Sequence, residues 1–424
     1  HYLKRLSALR AATDHPVSIY VHIPFCRRRC AFCGCNTALC RNDGDIDRYL
    51  QALHREIDLV ASALPFCPQV AQLHLGGGTP TILSAPQLEA LISHLRSHFS
   101  LIPEAEVSIE VNPAVTSATQ IRQLRELGFN RLSAGVQDFD PEVLRASGRM
   151  QSPKDTDMLV REARASGFSS LNIDLMYGLP GQTPDRFCHS LDRVALLRPE
   201  RIALYSFAYM PWLKDNQKEL DEAKLPSRDV KFSLFIAALQ RLIMEGYLPI
   251  GMDHFALSDD AMGQALAAGT LHRNFMGYTV GRYPVLLGFG ASAIGSTGDS
   301  FNQNLRSTDA YISRLAADQL PVEKGLSLTR DDRIRQDVIE ELMCRFRISY
   351  SELSARWDID GRHYFAAERA QLATQRSGEV PFTEEDESGL TVTPMGRLFV
   401  RNIAMVFDRH LKKHADRPAF SRTV

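Results

Sequence analysis

Three cysteines stand at a Cys-x3-Cys-x2-Cys spacing in His22-Ile-Pro-Phe-Cys26-Arg-Arg-Arg-Cys30-Ala-Phe-Cys33-Gly-Cys35, and five of the eight cysteines fall between Cys26 and Cys40. Thiols this close in sequence let one loop wrap around a soft metal centre. Three chemistries compete for them. A structural disulfide is at odds with the cytosol, which keeps thiols reduced. A structural zinc site takes four ligands, which Cys35 or Cys40 would complete. An iron-sulfur cluster on three cysteines leaves one iron open to a substrate or cofactor.

Other candidates fall at recurring places. Gly76-Gly-Gly-Thr-Pro80 offers a loop without side chains, where backbone N–H and C=O groups can approach a ligand. Glu110, Gln137 and Asp174 each stand near the end of an apolar, β-branched run. As acceptors the two carboxylates suit ribose hydroxyls, and Arg149 could hold a carboxylate with two parallel hydrogen bonds.

The elements that must position these groups follow one rhythm. Strand candidates are 17–23, 70–75, 107–111, 131–136, 171–176 and 202–207, with a possible later one at 248–252. Helical patterns lie between them at 46–64, 85–99, 118–127, 153–166 and 184–197, and Gly128 and Gly167 suit positions just past a helix end. Alternating strands and helices predict a parallel sheet, as a partial or full barrel, with functional groups at the strands' C-terminal ends. Residues 307–342 and 350–371 read as largely helical, 389–393 as a short strand and 394–411 as a last helix. The expected division is 1–16, a short N-terminal arm; 17–325, the barrel and its extension; and 326–424, a mostly helical domain.

The 424 residues carry 49 Lys and Arg against 50 Asp and Glu, a net charge of −1, with 44% apolar residues. This is ordinary globular composition, and its balance argues against nucleic acid or an anionic membrane as the main partner. Neither a spanning segment nor a secretory signal is visible, so a cytoplasmic location is expected. The chain starts at His1 rather than Met, so trimming of the start is expected.

The cysteine run after the first strand, followed by the glycine run after the second, resembles the radical S-adenosylmethionine (SAM) superfamily. The likeness narrows on Tyr20-Val-His-Ile-Pro-Phe-Cys26, Cys30-x-Phe-Cys-Gly-Cys35, Ile109-Glu-Val-Asn-Pro113, Gly135-Val-Gln-Asp-Phe139, Asn172-Ile-Asp-Leu-Met-Tyr-Gly-Leu-Pro180, Gly251-Met-Asp-His-Phe255 and Leu271-His-Arg-Asn-Phe275. With Gly396-Arg-Leu-x-x-Arg-Asn-Ile403 and Phe420-Ser-Arg near the end, these are similar to the oxygen-independent coproporphyrinogen III oxidase family over essentially the whole chain.

The resemblance implies a partial (β/α) barrel with a helical C-terminal domain, and a 4Fe-4S cluster on Cys26, Cys30 and Cys33. SAM would chelate the open iron and be cleaved to a 5′-deoxyadenosyl radical. The implied reaction is oxidative decarboxylation of two propionates of coproporphyrinogen III to vinyl groups, giving protoporphyrinogen IX. Cys35 belongs to the signature without being a ligand, and Cys40 has no role. Contacts to a first SAM would be Tyr20, Gly77, Glu110 and Ile294. Those to a second would be Phe32, Gly78, Thr79, Gln137, Arg149, Asp174 and Ala208. A monomer is implied, reduced by a low-potential donor such as a flavodoxin, with Arg27 to Arg29 facing either solvent or that donor. Lys214, Arg273, Arg330 and the same arginines are candidates for the substrate carboxylates, while His254 and His272 are either substrate contacts or structural histidines.

Departures from the family are the absence of its Arg-Tyr-Thr-Ser-Tyr-Pro-like arm, Tyr209 where His is expected, and Asn112 where Asp is commoner. The rival radical SAM readings are a haem chaperone and a haem-opening methyltransferase. Gly34-Cys35 and His272-Arg-Asn-Phe-Met-Gly-Tyr278 speak against the chaperone. A zinc-stabilised binding protein is the rival outside enzymes.

Overall fold

The computed structural model describes residues 1–9 and 16–411, so the Phe420-Ser-Arg segment lies outside the described residues. Contacts divide the chain into two compact units, His1–Leu242 with Tyr283–Ser327, and Ile243–Arg282 with Leu328–Val424. The segment 243–282, counted above with the barrel, therefore packs with the C-terminal residues.

The first unit is the mostly parallel α/β sheet that the alternation predicts. Its parallel strands are β1 (Val17–Ile23), β2 (Gln69–Gly77), β3 (Ser100–Val111), β4 (Arg131–Gln137), β5 (Ser170–Tyr177), β6 (Arg201–Ser206) and β7 (Val285–Phe289). Three antiparallel strands follow, β8 (Ile294–Thr297), β9 (Ser300–Asn304) and β10 (Val322–Ser327), and the order is β10-β9-β8-β7-β1-β2-β3-β4-β5-β6. In β1, Ile19 stands opposite Leu73 of β2 and Leu287 of β7. Strands covered on both faces read as near-continuous apolar runs, and only Tyr20 of β1 is less than fully buried. Each such Ile, Leu or Val contributes roughly 2 kcal/mol by leaving water.

Crossovers return the chain through α1 (Asp43–Ala63), α2 (Ala85–His98), α3 (Ala118–Glu126), α4 (Pro141–Ala146), α5 (Pro153–Ala165) and α6 (Pro184–Leu197). Their starts are written in the sequence. Asn42 accepts from the Asp45 N–H, and Ser84 with Gln87 and Ser117 with Gln120 form reciprocal capping boxes. Gly128 and Gly167 take φ of 93° and 81° just past α3 and α5, as expected of those positions.

Three expectations change. The candidate at 248–252 is an antiparallel hairpin, Tyr247–Pro249 against His254–Leu257, in the second unit. The further parallel strand of the first unit is β7, which pairs with β1. Residues 307–342 are not continuously helical. A helix at Thr308–Ala316 is followed by β10 and then by the helix Arg330–Arg345. The β10 residues are largely exposed, so no apolar alternation announces the strand.

The second unit buries Val338, Leu342, Phe346, Leu353, Phe365, Ile403 and Phe407 around the helix Arg330–Arg345. Its short strand Gly389–Val392 lies between Arg347–Ser349 and Thr383–Glu385. The last helical region is two short helices, Pro394–Arg397 and Val400–Met405. Among the described residues no helix is long and apolar enough to cross a membrane.

Candidate active site

The three cysteines lie on the loop leaving β1, at the C-terminal edge of the parallel strands, and all are half-buried free thiols. Backbone bonds shape the loop: Ala38 N–H donates to Pro24 O at 2.8 Å, Cys40 N–H to Cys26 O at 3.0 Å and Ala31 N–H to Ser147 O at 3.1 Å. The Asn216 side-chain amide reaches the carbonyls of Cys30, Ala31 and Cys33 at 3.1, 3.0 and 3.0 Å. Gln217 Nε2 donates to Phe32 O and Ala208 O, both at 3.1 Å. Phe32 packs with Val143, Leu179, Phe207 and Leu220. Asn216 and Gln217 escaped the sequence reading because two amides in a polar turn carry no periodic signal.

Each sulfur meets a different neighbour. Cys26 Sγ is 3.4 Å from Thr79 Oγ1, and Arg149 Nη1 donates to Cys30 Sγ at 3.5 Å. A hydrogen bond from Cys35 brings the Cys33 thiol down to about 6 against the opposing effect of burial, with help from Lys214 and Arg29. Burial pushes the Cys26 thiol up. The three sulfurs are not gathered within 4.8 Å of one another. Three thiols on one short loop are a donor set that fits a 4Fe-4S cluster. Cys40 faces elsewhere, its Sγ donating to Asn42 O at 3.3 Å.

The glycine turn is required by what crowds it. A Cβ on Gly77, at φ +113°, would lie 2.5 Å from the His22 ring, and one on Gly78 would lie 2.6 Å from Phe25 O. Gly77 N–H donates to Glu110 Oε2 at 2.9 Å, and His74 Nε2 is 3.3 Å from Glu110 Oε1. Burial pushes the Glu110 carboxyl up, but the His74 and Gly77 contacts outweigh it and leave the carboxyl below its ordinary range. Tyr20 OH is 2.9 Å from His22 Nδ1, and the Tyr20 ring stacks on His74 at 5.9 Å. His22 and His74 were not singled out from the sequence, since a histidine in a strand is more often structural.

Gly77→Ala is expected to cost about 2 kcal/mol or more, from the left-handed backbone and the clash with His22. Gly181→Ala is the control, with φ +80° and open space around its Cβ position. Urea unfolding should show Gly77→Ala as the more damaging of the two.

Arg149, 8% exposed, is fixed on several sides. It donates to Asn112 Oδ1 at 3.2 Å, to Gln151 Oε1 at 3.0 Å and to Gly135 O. Gln137 takes φ 71°, an unusual value for a residue with a side chain, where the β4–β5 register shifts. Asp174 accepts from Asn172 Nδ2 at 2.6 Å and stands opposite Gly135. Ile294 begins β8, close enough to the chain that a Cβ on Gly288 would meet its carbonyl at 2.4 Å. A cavity of about 430 Å³ is lined by Arg27, Arg28, Cys30, Thr79, Asn112 and Arg149, among others. Thr79 and Arg149 thus meet Cys30 at one opening.

Most of the cationic candidates have partners of their own. Arg27 pairs with Asp43 at 2.7 Å, Arg29 donates to Thr37 O at 2.6 Å and Lys214 to Cys35 O at 3.4 Å. In the second unit Arg330 donates to Trp357 O and Arg273 lies over the Tyr278 ring. There, too, His254 and His272 pair with Asp253 and Glu340, each at 2.6 Å.

The chain matches the Radical SAM superfamily over residues 20–194. It is 43% identical to the oxygen-independent coproporphyrinogen III oxidase of Escherichia coli K12 over 421 residues, covering 99% of this chain and 91% of that protein. The protein of the same name from Synechocystis is 42% identical, with 96% and 88% covered. Among solved structures, coproporphyrinogen III oxidase from Escherichia coli, described as a radical SAM enzyme, superposes with a TM-score of 0.92 at 42% identity, covering 96% of this chain and 93% of that one.

Proposed function

The chain belongs to the oxygen-independent coproporphyrinogen III oxidase family of radical SAM enzymes, and from that premise we propose that Cys26, Cys30 and Cys33 are the ligands of its 4Fe-4S cluster. The reaction is oxidative decarboxylation of two propionate side chains of coproporphyrinogen III to vinyl groups, giving protoporphyrinogen IX, with a 4Fe-4S cluster and SAM as cofactors. When bound, these cofactors supply an electron and a 5′-deoxyadenosyl radical that takes a hydrogen atom from a propionate carbon. The protein supplies orientation and keeps water and oxygen out.

The observation that carries the site assignment is the meeting of Cys30, Thr79 and Arg149 at one cavity beside the cysteine loop. Tyr20, Gly77, Glu110 and Ile294 are proposed to hold the SAM at the cluster, with the Glu110 carboxylate kept ionised as a hydroxyl acceptor. A second SAM is proposed at Phe32, Gly78, Thr79, Gln137, Arg149, Asp174 and Ala208. Asn112 gives Arg149 a neutral acceptor. That leaves the guanidinium charge for a ligand carboxylate. We further propose a cytoplasmic monomer reduced by a low-potential donor such as a flavodoxin.

The test is an anaerobic assay with coproporphyrinogen III, SAM and a low-potential reductant, read by mass spectrometry. Loss of two CO2 per porphyrinogen is expected, with 5′-deoxyadenosine formed. SAM cleavage that leaves the porphyrinogen intact would refute the substrate, and bound zinc without iron would refute the cluster.

A further inference from the structure

Away from the cysteine loop, α1 and α2 place four groups at helical i, i+4 spacing: His54 and Asp58 on α1, His94 and His98 on α2. Residues four apart share a helix face, and the two pairs face each other. His94 Nε2 and His98 Nε2 each lie 2.9 Å from the same oxygen, Asp58 Oδ1. Among the described residues this is the one group whose three possible ligand atoms lie within 4.8 Å of one another. His54 stacks on His94 with ring centroids 4.4 Å apart, and its buried Nε2 has no hydrogen-bond partner.

We propose that His94, His98 and Asp58 form a second metal site, for a divalent ion of the zinc class, which ties α1 to α2. Two imidazoles and a carboxylate select zinc-like ions over magnesium or calcium, which prefer oxygen ligands alone. Bonds of about 2.0–2.1 Å in a tetrahedron put ligand atoms roughly 3.3 Å apart, so the 2.9 Å contacts need open by only a few tenths of an ångström. Two imidazoles at i, i+4 on one helix face already form a bidentate chelate. The site is remote from the chemistry, because α2 ends at His98 just before β3 begins at Ser100, at the strands' N-terminal side. In a barrel that side serves stability.

The test uses the full chain, loaded anaerobically with its iron-sulfur cluster, desalted and titrated with Zn2+ alone against a chromophoric chelator. One equivalent should be taken up. At a hundredfold excess over the dissociation constant, the unfolding midpoint should rise by about 4 °C. His94→Gln with His98→Gln keeps donors for Asp58 and should lose both the equivalent and the shift. His98→Gln alone, the milder change, should weaken binding by at least about tenfold. Cys67→Ser should leave uptake intact, although that thiol donates to His98 O at 3.3 Å. Zinc uptake undiminished in the histidine variants, uptake lost with Cys67→Ser, or no midpoint shift in the parent chain would each overturn the site.

Discussion

Cys30→Ser is expected to leave a folded chain that holds no 4Fe-4S cluster and makes less than about one-hundredth of the parent's 5′-deoxyadenosine. Removing a group that merely supports a metal ligand costs about 10–100-fold, and replacing a ligand should exceed that. The loop itself should survive, because its shape rests on backbone bonds and on the Asn216 amide rather than on the Cys30 sulfur. Cys26→Ser and Cys33→Ser should behave alike. Cys40→Ser should retain cluster and activity, since its sulfur is turned to Asn42. Iron and sulfide content, the visible absorbance and circular dichroism separate loss of the centre from loss of fold. A reducible cluster retained in any of the three ligand variants would refute that residue's assignment.

Glu106→Ala is expected to destabilise the first unit by about 3 kcal/mol, the low end of the cost of removing one member of a buried ion pair, since the Glu106 side chain keeps 22% of its surface exposed. Its carboxylate receives Arg201 Nη1 at 3.0 Å and Arg131 Nη1 at 3.3 Å, and Arg201 is only 2% exposed. The two arginines begin β6 and β4, so a single acid on β3 joins three strands. Burial opposes ionisation of Glu106, but Arg201 and Arg131 outweigh it and bring its pKa from 4.5 to about 2. The folded pKa lies below the unfolded one. The contribution is therefore full above about pH 4.5, falls as pH drops toward 2, and amounts to about 3 kcal/mol. Urea midpoints measured from pH 5 to 2 should fall in the parent more steeply than in Glu106→Gln. Equal slopes would show that the carboxylate contributes no such acid dependence.

The parallel strands were legible because burial on both faces writes itself as apolar β-branched runs, and 17–23 is a strand over its whole predicted length. Helix starts were legible through short-range chemistry such as Ser84 with Gln87. The cysteine and glycine runs stood out for the same reason, since one loop holds each. What stayed hidden depends on distance. Nothing near Glu106 predicts Arg201, and nothing near Cys33 predicts Asn216, because only the fold brings them together. β10 was invisible because its pairing is a matter of backbone while its side chains face water. The membership of 243–282 in the second unit was hidden because packing, rather than composition, assigns it.

The pairing of β1 with β7 also sets a schedule for biosynthesis. Ile19 waits for Leu287, 268 positions later (287 − 19), while a ribosome adds roughly 5–20 residues per second. One side of the first strand therefore lacks its neighbour for on the order of 10–50 seconds after it is made. The adjoining cysteine loop emerges as early as the strand does, well before the sheet that will shelter it is complete. Early metal capture by a nascent chain would meet an open strand edge, whereas insertion after release would meet the finished barrel.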